Sequence, residues 1–243
     1  MLDGPVLDVV ERLDSAPDIG SLTTLLLAVL ENAGLPHVAY VTLSGTSAAP
    51  CRVTTYPVEW SDYYRSRHYD TIDPVFLAAR VRRRPFLWSD VSGGAAAPAL
   101  SGRQRSLLGE AASTGLAHGL SVPLFGPGGE HAVLSVASPE APTQWAARPG
   151  VLGAIATQFH LAHQELLEGA SAPVDPPPAA LYPREREVLL WCARGKTSWE
   201  IGRILNLAER TVDHYAEAAM RKLAVNTRIA AVLKATRQGL ICP

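Results

Sequence analysis

Residues Gly169-Ala170-Ser171-Ala172-Pro173-Val174-Asp175-Pro176-Pro177-Pro178 have no apolar period and carry four prolines, none with an N–H to give to a helix or a sheet. Neither a helix nor a central strand runs through such a segment, so the chain must fold as separate units on either side of it. This reading places a first domain over 1–168, a linker over 169–180 and a second domain over 181–243. With 243 residues there is chain enough for two ordinary domains, and 47% apolar with 19% charged residues is the make-up of packed cores.

The two sides differ in charge. From Pro178 to Pro243 there are eleven Lys or Arg against six Asp or Glu, a net of +5; the remaining eleven and seventeen give −6 over 1–177. The total of −1 conceals a basic C-terminal third suited to a polyanion and an acidic remainder with no such suitability. Before the linker, mixed patterns predict an α+β unit, with helices near 5–14, 20–33, 59–68, 74–83, 101–115 and 146–168 and strands at His37–Ser44, Arg52–Tyr56, Gly119–Phe125 and His131–Ala137. Gly126-Pro127-Gly128-Gly129 is expected to turn the last two into a hairpin. After it, four short helices are predicted near 183–194, 198–205, 209–222 and 226–237.

Pro183 suits the first turn of a helix, Thr197 is an N-cap with Glu200 in the capping-box position, and only Asn206-Leu207-Ala208 separates the second helix from the third. On a helical wheel, Val212, Tyr215, Ala216 and Ala219 fall on one side of that third helix. Arg210, Asp213, His214, Glu217 and Arg221 fall on the other. One side packs and the other is free to read a groove, the plan of a helix-turn-helix. The string PREREVLLWCARGKTSWEIGRILNLAERTVDHYAEAAMRKLAVNTRIAAVLKATRQGLI resembles the LuxR-type helix-turn-helix over about 60 residues, with Glu185, Leu189, Gly195, Ile201, Thr211-Val212, Lys222-Leu223, Arg228 and Ala231 in order. The resemblance implies DNA contacts from Lys196, Thr197, Arg210, Thr211, Asp213, His214, Glu217, Arg221, Lys222 and Arg228. A polyanion is the expected partner of Lys196, Arg210, Arg221, Lys222 and Arg228.

Asp213 and Glu217 depart from the family, where basic or amide residues usually stand. A carboxylate in the major groove accepts from cytosine N4, so the two acids either specify C·G pairs or form ion pairs on their own helix, Glu217 with Arg221 being the favourable one. Tyr182 and Ala208 are weak caps, each loss costing about 1 kcal/mol.

In TYPVEWSDYYRSRHYDTIDPVFLAARVRRRPFLWSD, Trp60 and Tyr64 lie one helical turn apart, Asp73-Pro74 opens a helix, and Trp88 follows a short extended run. This arrangement, Trp-x3-Tyr-x8-Asp-Pro-x13-Trp with Tyr56 before it, resembles the acyl-homoserine-lactone-binding domain of the LuxR quorum-sensing regulators. Gly119 matches the glycine before that family's next strand, a few residues late. The resemblance implies an α+β protein: an N-terminal α/β/α sandwich with a central antiparallel sheet, then an all-α four-helix helix-turn-helix domain. It further implies a ligand site at Tyr56, Trp60, Tyr64, Asp73 and Trp88. Asp73 would accept from the amide N–H of an N-acyl-homoserine lactone, the Trp60 indole would donate to the lactone carbonyl and the Tyr56 hydroxyl to the acyl carbonyl, while Tyr64 and Trp88 supply flat apolar walls. Singly, each residue has a structural explanation, Asp73 as the N-cap before Pro74 above all. Val133 lies near the family's second polar position and hints at a drier pocket.

The expectation is therefore a quorum-sensing transcriptional regulator, binding N-acyl-homoserine lactone and a palindromic site on double-stranded DNA as a homodimer and acting on the transcription machinery. Bound signal would stabilise the fold by mass action. The last helix (Ile229, Val232, Leu233, Thr236) and that near 146–168 are the expected subunit contacts. Alternatives are a protein of the same fold that sequesters a related regulator, motivated by Asp213 and Glu217, and a regulator that needs no ligand. No enzyme is predicted: GxSxG, Walker and GxGxxG patterns are missing from suitable contexts. Three scattered cysteines (Cys51, Cys192, Cys242) and dispersed histidines suggest neither disulfides nor a metal, and no cofactor is expected. Arg80-Val81-Arg82-Arg83-Arg84 reads as a solvated face. No apolar stretch approaches the roughly 18–20 residues of a membrane span, and MLDGPVLDVVERLD carries acids where a signal peptide is basic, so a cytoplasmic location is expected.

Overall fold

A computed structural model describes residues 4–43, 52–92, 99–126, 131–141, 148–171 and 181–243. The chain divides after Ser171 into two compact units. The first is built on an antiparallel sheet of β1 (His37–Thr42), β2 (Arg52–Thr54), β3 (Phe86–Leu87), β4 (His118–Phe125) and β5 (His131–Ser138), in the order β2-β1-β5-β4-β3. β4 and β5 pair over their full lengths, from His118 with Ser138 to Phe125 with His131, as a hairpin requires. Residues 127–129 of the turn lie outside the described residues.

Strand alternation sends the two sets of side chains to opposite faces. Val38, Tyr40, Leu120, Val122, Leu124, Leu134 and Val136 face α1 (Gly4–Asp14), α2 (Ile19–Asn32) and α7 (Pro149–Ser171). α2 forms because Asp18 caps it, its carboxylate accepting from the Ser21 N–H at 2.8 Å, and because Leu22, Leu26 and Leu30 recur every fourth residue and are fully buried. The opposite face carries Ala39, Val41, Val133, Ser135 and Ala137. α3 (Val58–Ser66), a 3-10 turn (Tyr69–Thr71), α4 (Pro74–Ala79), α5 (Ser89–Ser92) and α6 (Gly102–Ser113) lie on that side.

Two elements escape the sequence patterns, the 3-10 turn and α5, each too short to show a period, whereas the short extended run expected before Trp88 is β3. The helix expected over 74–83 stops at Ala79, and β2 stops at Thr54, two residues short of Tyr56. α7 runs to Ser171, so Gly169–Ser171 belong to the helix and not to the linker; residues 172–180 lie outside the described residues.

The second unit comprises α8 (Pro183–Ala193), α9 (Ser198–Leu205), α10 (Glu209–Lys222) and α11 (Arg228–Arg237), within two residues of the expected bounds. Val188, Ile201, Val212 and Ala216 form one buried cluster; Leu181, Leu189, Ala219, Leu223, Ala231, Ala235 and Ile241 form another. Between α9 and α10 the chain reverses through Asn206 in the left-handed region (φ 55°). A β-carbon on Gly202 would meet the Leu207 carbonyl oxygen at 2.7 Å, so this turn closes only on glycine.

Candidate functional site

A cavity of about 130 Å³ lies on the α3–α6 side of the sheet. At roughly 10–15 Å³ for each water-sized position, this is space for a small organic molecule. Tyr56, Trp60, Tyr64, Asp73 and Trp88, the five residues singled out in the sequence, all line it, with Val41, Val75 and Val133 on one side and Leu107, Leu108, Ala111 and Leu116 on another.

The elements fix these side chains in turn. α3 presents Trp60 and Tyr64 on one face, ring centroids 6.0 Å apart, and Tyr69 stands 5.8 Å from Tyr64. Asp73 caps α4: its Oδ1 accepts from the N–H groups of Val75 at 2.8 Å and Phe76 at 3.3 Å, with Pro74 in the first turn. Its Oδ2 accepts from the Tyr64 hydroxyl at 2.9 Å. The cap and the cavity residue are thus one carboxylate, and Tyr64 is more than an apolar wall. α6 holds this region in place, because the Gln104 amide donates to the Ile72 carbonyl at 2.9 Å, one residue before Asp73.

Trp88 likewise exceeds its expected role. Its indole N–H donates to the Ser121 hydroxyl at 3.0 Å, and Ser121 lies 2.8 Å from the hydroxyl of Ser135, which lines the cavity. A β-carbon on Gly119 would fall 2.3 Å from Trp88 Cε2, so the indole packs against bare backbone and no side chain fits at 119. Ser135 escapes the sequence reading, which puts the polar position at Val133. Yet the two share a face of β5, and strand alternation groups them.

The electrostatics favour a polar ligand. Burial pushes the Asp73 carboxyl above the usual carboxylate range, against the hydrogen bonds from Tyr64, Val75 and Phe76. Burial, with the nearby Asp73 charge, also pushes the Tyr56 phenol well up. The Tyr56 hydroxyl is buried with no hydrogen-bond partner, a costly state for a polar group.

On the second unit, the helix-turn-helix, the geometry alters the expectations. Lys196 Nζ is 3.0 Å from Glu200, Lys222 Nζ is 2.8 Å from the buried carboxylate of Glu185, and Arg228 Nη2 is 2.6 Å from Asp213. Three of the five cations expected to have only a polyanion for partner therefore have an internal carboxylate. Asp213 Oδ1 also accepts from the Ser198 hydroxyl at 2.6 Å, and Ser198 in turn accepts from Arg228 Nη1 at 2.7 Å. This knot joins the start of α9, the body of α10 and the start of α11. It holds the Asp213 carboxyl below its usual range, through Ser198 first and Arg228 second. Asp213, part-buried, is thus engaged by Ser198 and Arg228 from neighbouring helices and not by a cation of its own helix.

Arg210, His214, Glu217 and Arg221 are exposed on α10, and the expected Glu217–Arg221 ion pair is not formed. Thr211 is half-buried. Thr197 completes the capping box with Glu200, which its backbone N–H (2.8 Å), its hydroxyl (3.0 Å) and Lys196 hold down to about pKa 2. At Tyr182 the expected weakness is offset: the backbone N–H donates to Glu185 at 2.7 Å and the ring lies 3.4 Å beneath Lys222 Nζ. Ala208 makes no side-chain cap, as expected.

A small-molecule cavity in an α/β/α unit and a helix-turn-helix in the same chain define a ligand-sensing DNA-binding regulator. Residues 18–164 match the autoinducer binding domain family, and residues 179–235 match the family of bacterial regulatory proteins, luxR family. The chain is 34% identical to the quorum sensing-dependent transcriptional regulator RpaR of Rhodopseudomonas palustris, over 99% of this chain and 90% of RpaR. It is 32% identical to the transcriptional activator SolR of Ralstonia solanacearum, over 96% and 98%. The crystal structure of Escherichia coli SdiA has the same fold, with a TM-score of 0.66 over 98% of both chains at 21% identity. The chain belongs to the LuxR family of quorum-sensing transcriptional regulators, which are not enzymes.

Proposed function

We propose that the cavity binds an N-acyl-homoserine lactone and that the chain, as a dimer, binds a palindromic DNA site in response. The observation that carries this reading is the partnerless Tyr56 hydroxyl beside the Asp73 carboxylate in a cavity lined mainly by apolar and aromatic side chains. A neutral ligand with a carbonyl, an amide N–H and an apolar tail satisfies both groups: Tyr56 donates to the acyl carbonyl, Asp73 accepts from the amide, and Trp60 donates to the lactone carbonyl. Subunit contact is assigned to α11, where Ile229 (75%) and Leu233 (57%) stand exposed beside Val232 and Thr236, and secondarily to Leu161 on α7.

The reading as a sequestering protein without DNA affinity loses one of its two motives, since Asp213 is engaged internally. The test is mass spectrometry of small molecules co-purified from cells grown with mixed lactones, followed by calorimetric titration. Asp73→Asn keeps an oxygen to cap α4 yet replaces the second acceptor with a donor. It should fold and lose lactone affinity about tenfold or more, as expected for a hydrogen bond to a charged group. SdiA has also been solved in complex with octanoyl-rac-glycerol. That compound has no amide N–H, so its affinity for the present chain should respond less to Asp73→Asn; an equal response would count against the assigned amide contact.

A further inference from the structure

Ser121 is fully buried and Ser135 nearly so, and they face each other across β4 and β5. Two hydrogen bonds tie them to the cavity wall: Trp88 Nε1 to Ser121 Oγ at 3.0 Å, and Ser121 Oγ to Ser135 Oγ at 2.8 Å. The direction of the second bond follows from the first. An indole N–H can only donate, so Ser121 is the acceptor there. Its own hydroxyl proton then needs an acceptor, and among the described residues the only other oxygen bonded to it is that of Ser135. Ser121 therefore donates to Ser135, and the proton of Ser135 is left to point elsewhere. Ser135 lines the cavity, so that proton is available to the ligand.

We infer that Ser121 is a positioning residue: locked by the Trp88 indole, it turns the Ser135 hydroxyl into a hydrogen-bond donor aimed at an acceptor oxygen in the acyl part of the signal. The inference rests on the reading of this cavity as the N-acyl-homoserine lactone site. A hydroxyl that accepts one hydrogen bond is also polarised to give a stronger one, so the effect of Ser121 on the ligand passes through Ser135. Of the groups assigned to the ligand, Tyr56, Trp60 and Ser135 donate and Asp73 accepts, a set that suits a molecule with several carbonyl-type oxygens and an N–H.

The test is a double-mutant cycle on the full-length protein. Calorimetry would use the tightest-binding member of a straight-chain N-acyl-homoserine lactone series from butanoyl to dodecanoyl. Ser135→Ala should weaken binding about tenfold, the loss of one ligand hydrogen bond. Ser121→Ala should weaken it about threefold or more when Ser135 is present, and by less than about twofold in the Ser135→Ala background. Trp88→Phe keeps the ring and loses the N–H, and should couple to Ser135 in the same way. Thermal unfolding of each ligand-free variant separates stability from affinity. Equal losses from Ser121→Ala with and without Ser135 would mean that Ser121 only packs, and would overturn the inference, as would unchanged affinity in Ser135→Ala. If the wild-type protein binds no member of the series, the parent reading fails and the inference falls with it.

Discussion

The Tyr56 hydroxyl pays a desolvation penalty with nothing in return until a ligand arrives. Tyr56→Phe should therefore raise the stability of the ligand-free protein by about 1 kcal/mol while weakening lactone binding, opposite signs from one atom. Thermal unfolding with and without lactone checks both; a destabilised ligand-free variant would sink the assignment. Gly119→Ala should cost about 1–3 kcal/mol, because its methyl would have to displace the Trp88 indole against backbone that cannot retreat, and urea unfolding would measure the loss. At this scale the sequence was informative wherever spacing along the chain carries the meaning, as with Trp60, Tyr64, Asp73 and Trp88. It was silent where the partners come from different strands or helices. Ser121 meets Ser135, and Ser198 meets Asp213 and Arg228, across 14 to 30 residues of chain, and no periodic pattern encodes those meetings.

Elements long enough to show a period were legible in the sequence, and all four helices of the helix-turn-helix unit fall close to their expected bounds. What escaped is what periodicity cannot express: a four-residue helix and a single 3-10 turn, both on the cavity side of the sheet, while the two-residue edge strand showed only as a short extended run. Those small pieces carry Trp88 and Asp73 to their places. In the helix-turn-helix unit, the Ser198–Asp213–Arg228 knot does for α9, α10 and α11 what an apolar contact does elsewhere. Asp213→Ala strands a guanidinium and a buried hydroxyl, and should lower the stability of this unit by about 1–3 kcal/mol. Asp213→Asn, which keeps an acceptor oxygen, should cost less. Hydrogen exchange at the amides of α9 and α11 would report the difference, and equal protection in both variants would show that the knot contributes nothing.

Across the whole molecule, Asp73 on one unit and Glu200 and Asp213 on the other respond to acid with opposite signs. The Asp73 carboxyl is raised, so its contribution favours the fold at low pH and is lost as pH rises above 3.8 through its native value. Glu200 and Asp213 are lowered, so their contributions are present in full above their ordinary values of 4.5 and 3.8 and fade as pH falls, toward about 2 for Glu200. Calorimetry of the intact chain should show the helix-turn-helix unit losing stability as pH falls below 4.5, and Glu200→Gln should blunt that loss. The charge arithmetic of the chain also changes meaning. With Lys196, Lys222 and Arg228 neutralised internally, Arg210 and Arg221 are left as the cations of the expected set free for phosphate. The slope of log affinity against log salt should then be about −1.8 per subunit instead of about −4.5 for all five. Fluorescence anisotropy across a salt series measures it. The cavity carries the last consequence. A ligand that binds only the folded unit makes opening and degradation rarer, and saturation at a hundred times Kd adds about 2.7 kcal/mol to the native state. On the proposed reading, the regulator is therefore also a clock: signal lengthens its half-life in the cell, and after the signal is withdrawn the response persists for as long as the protein already made takes to be destroyed.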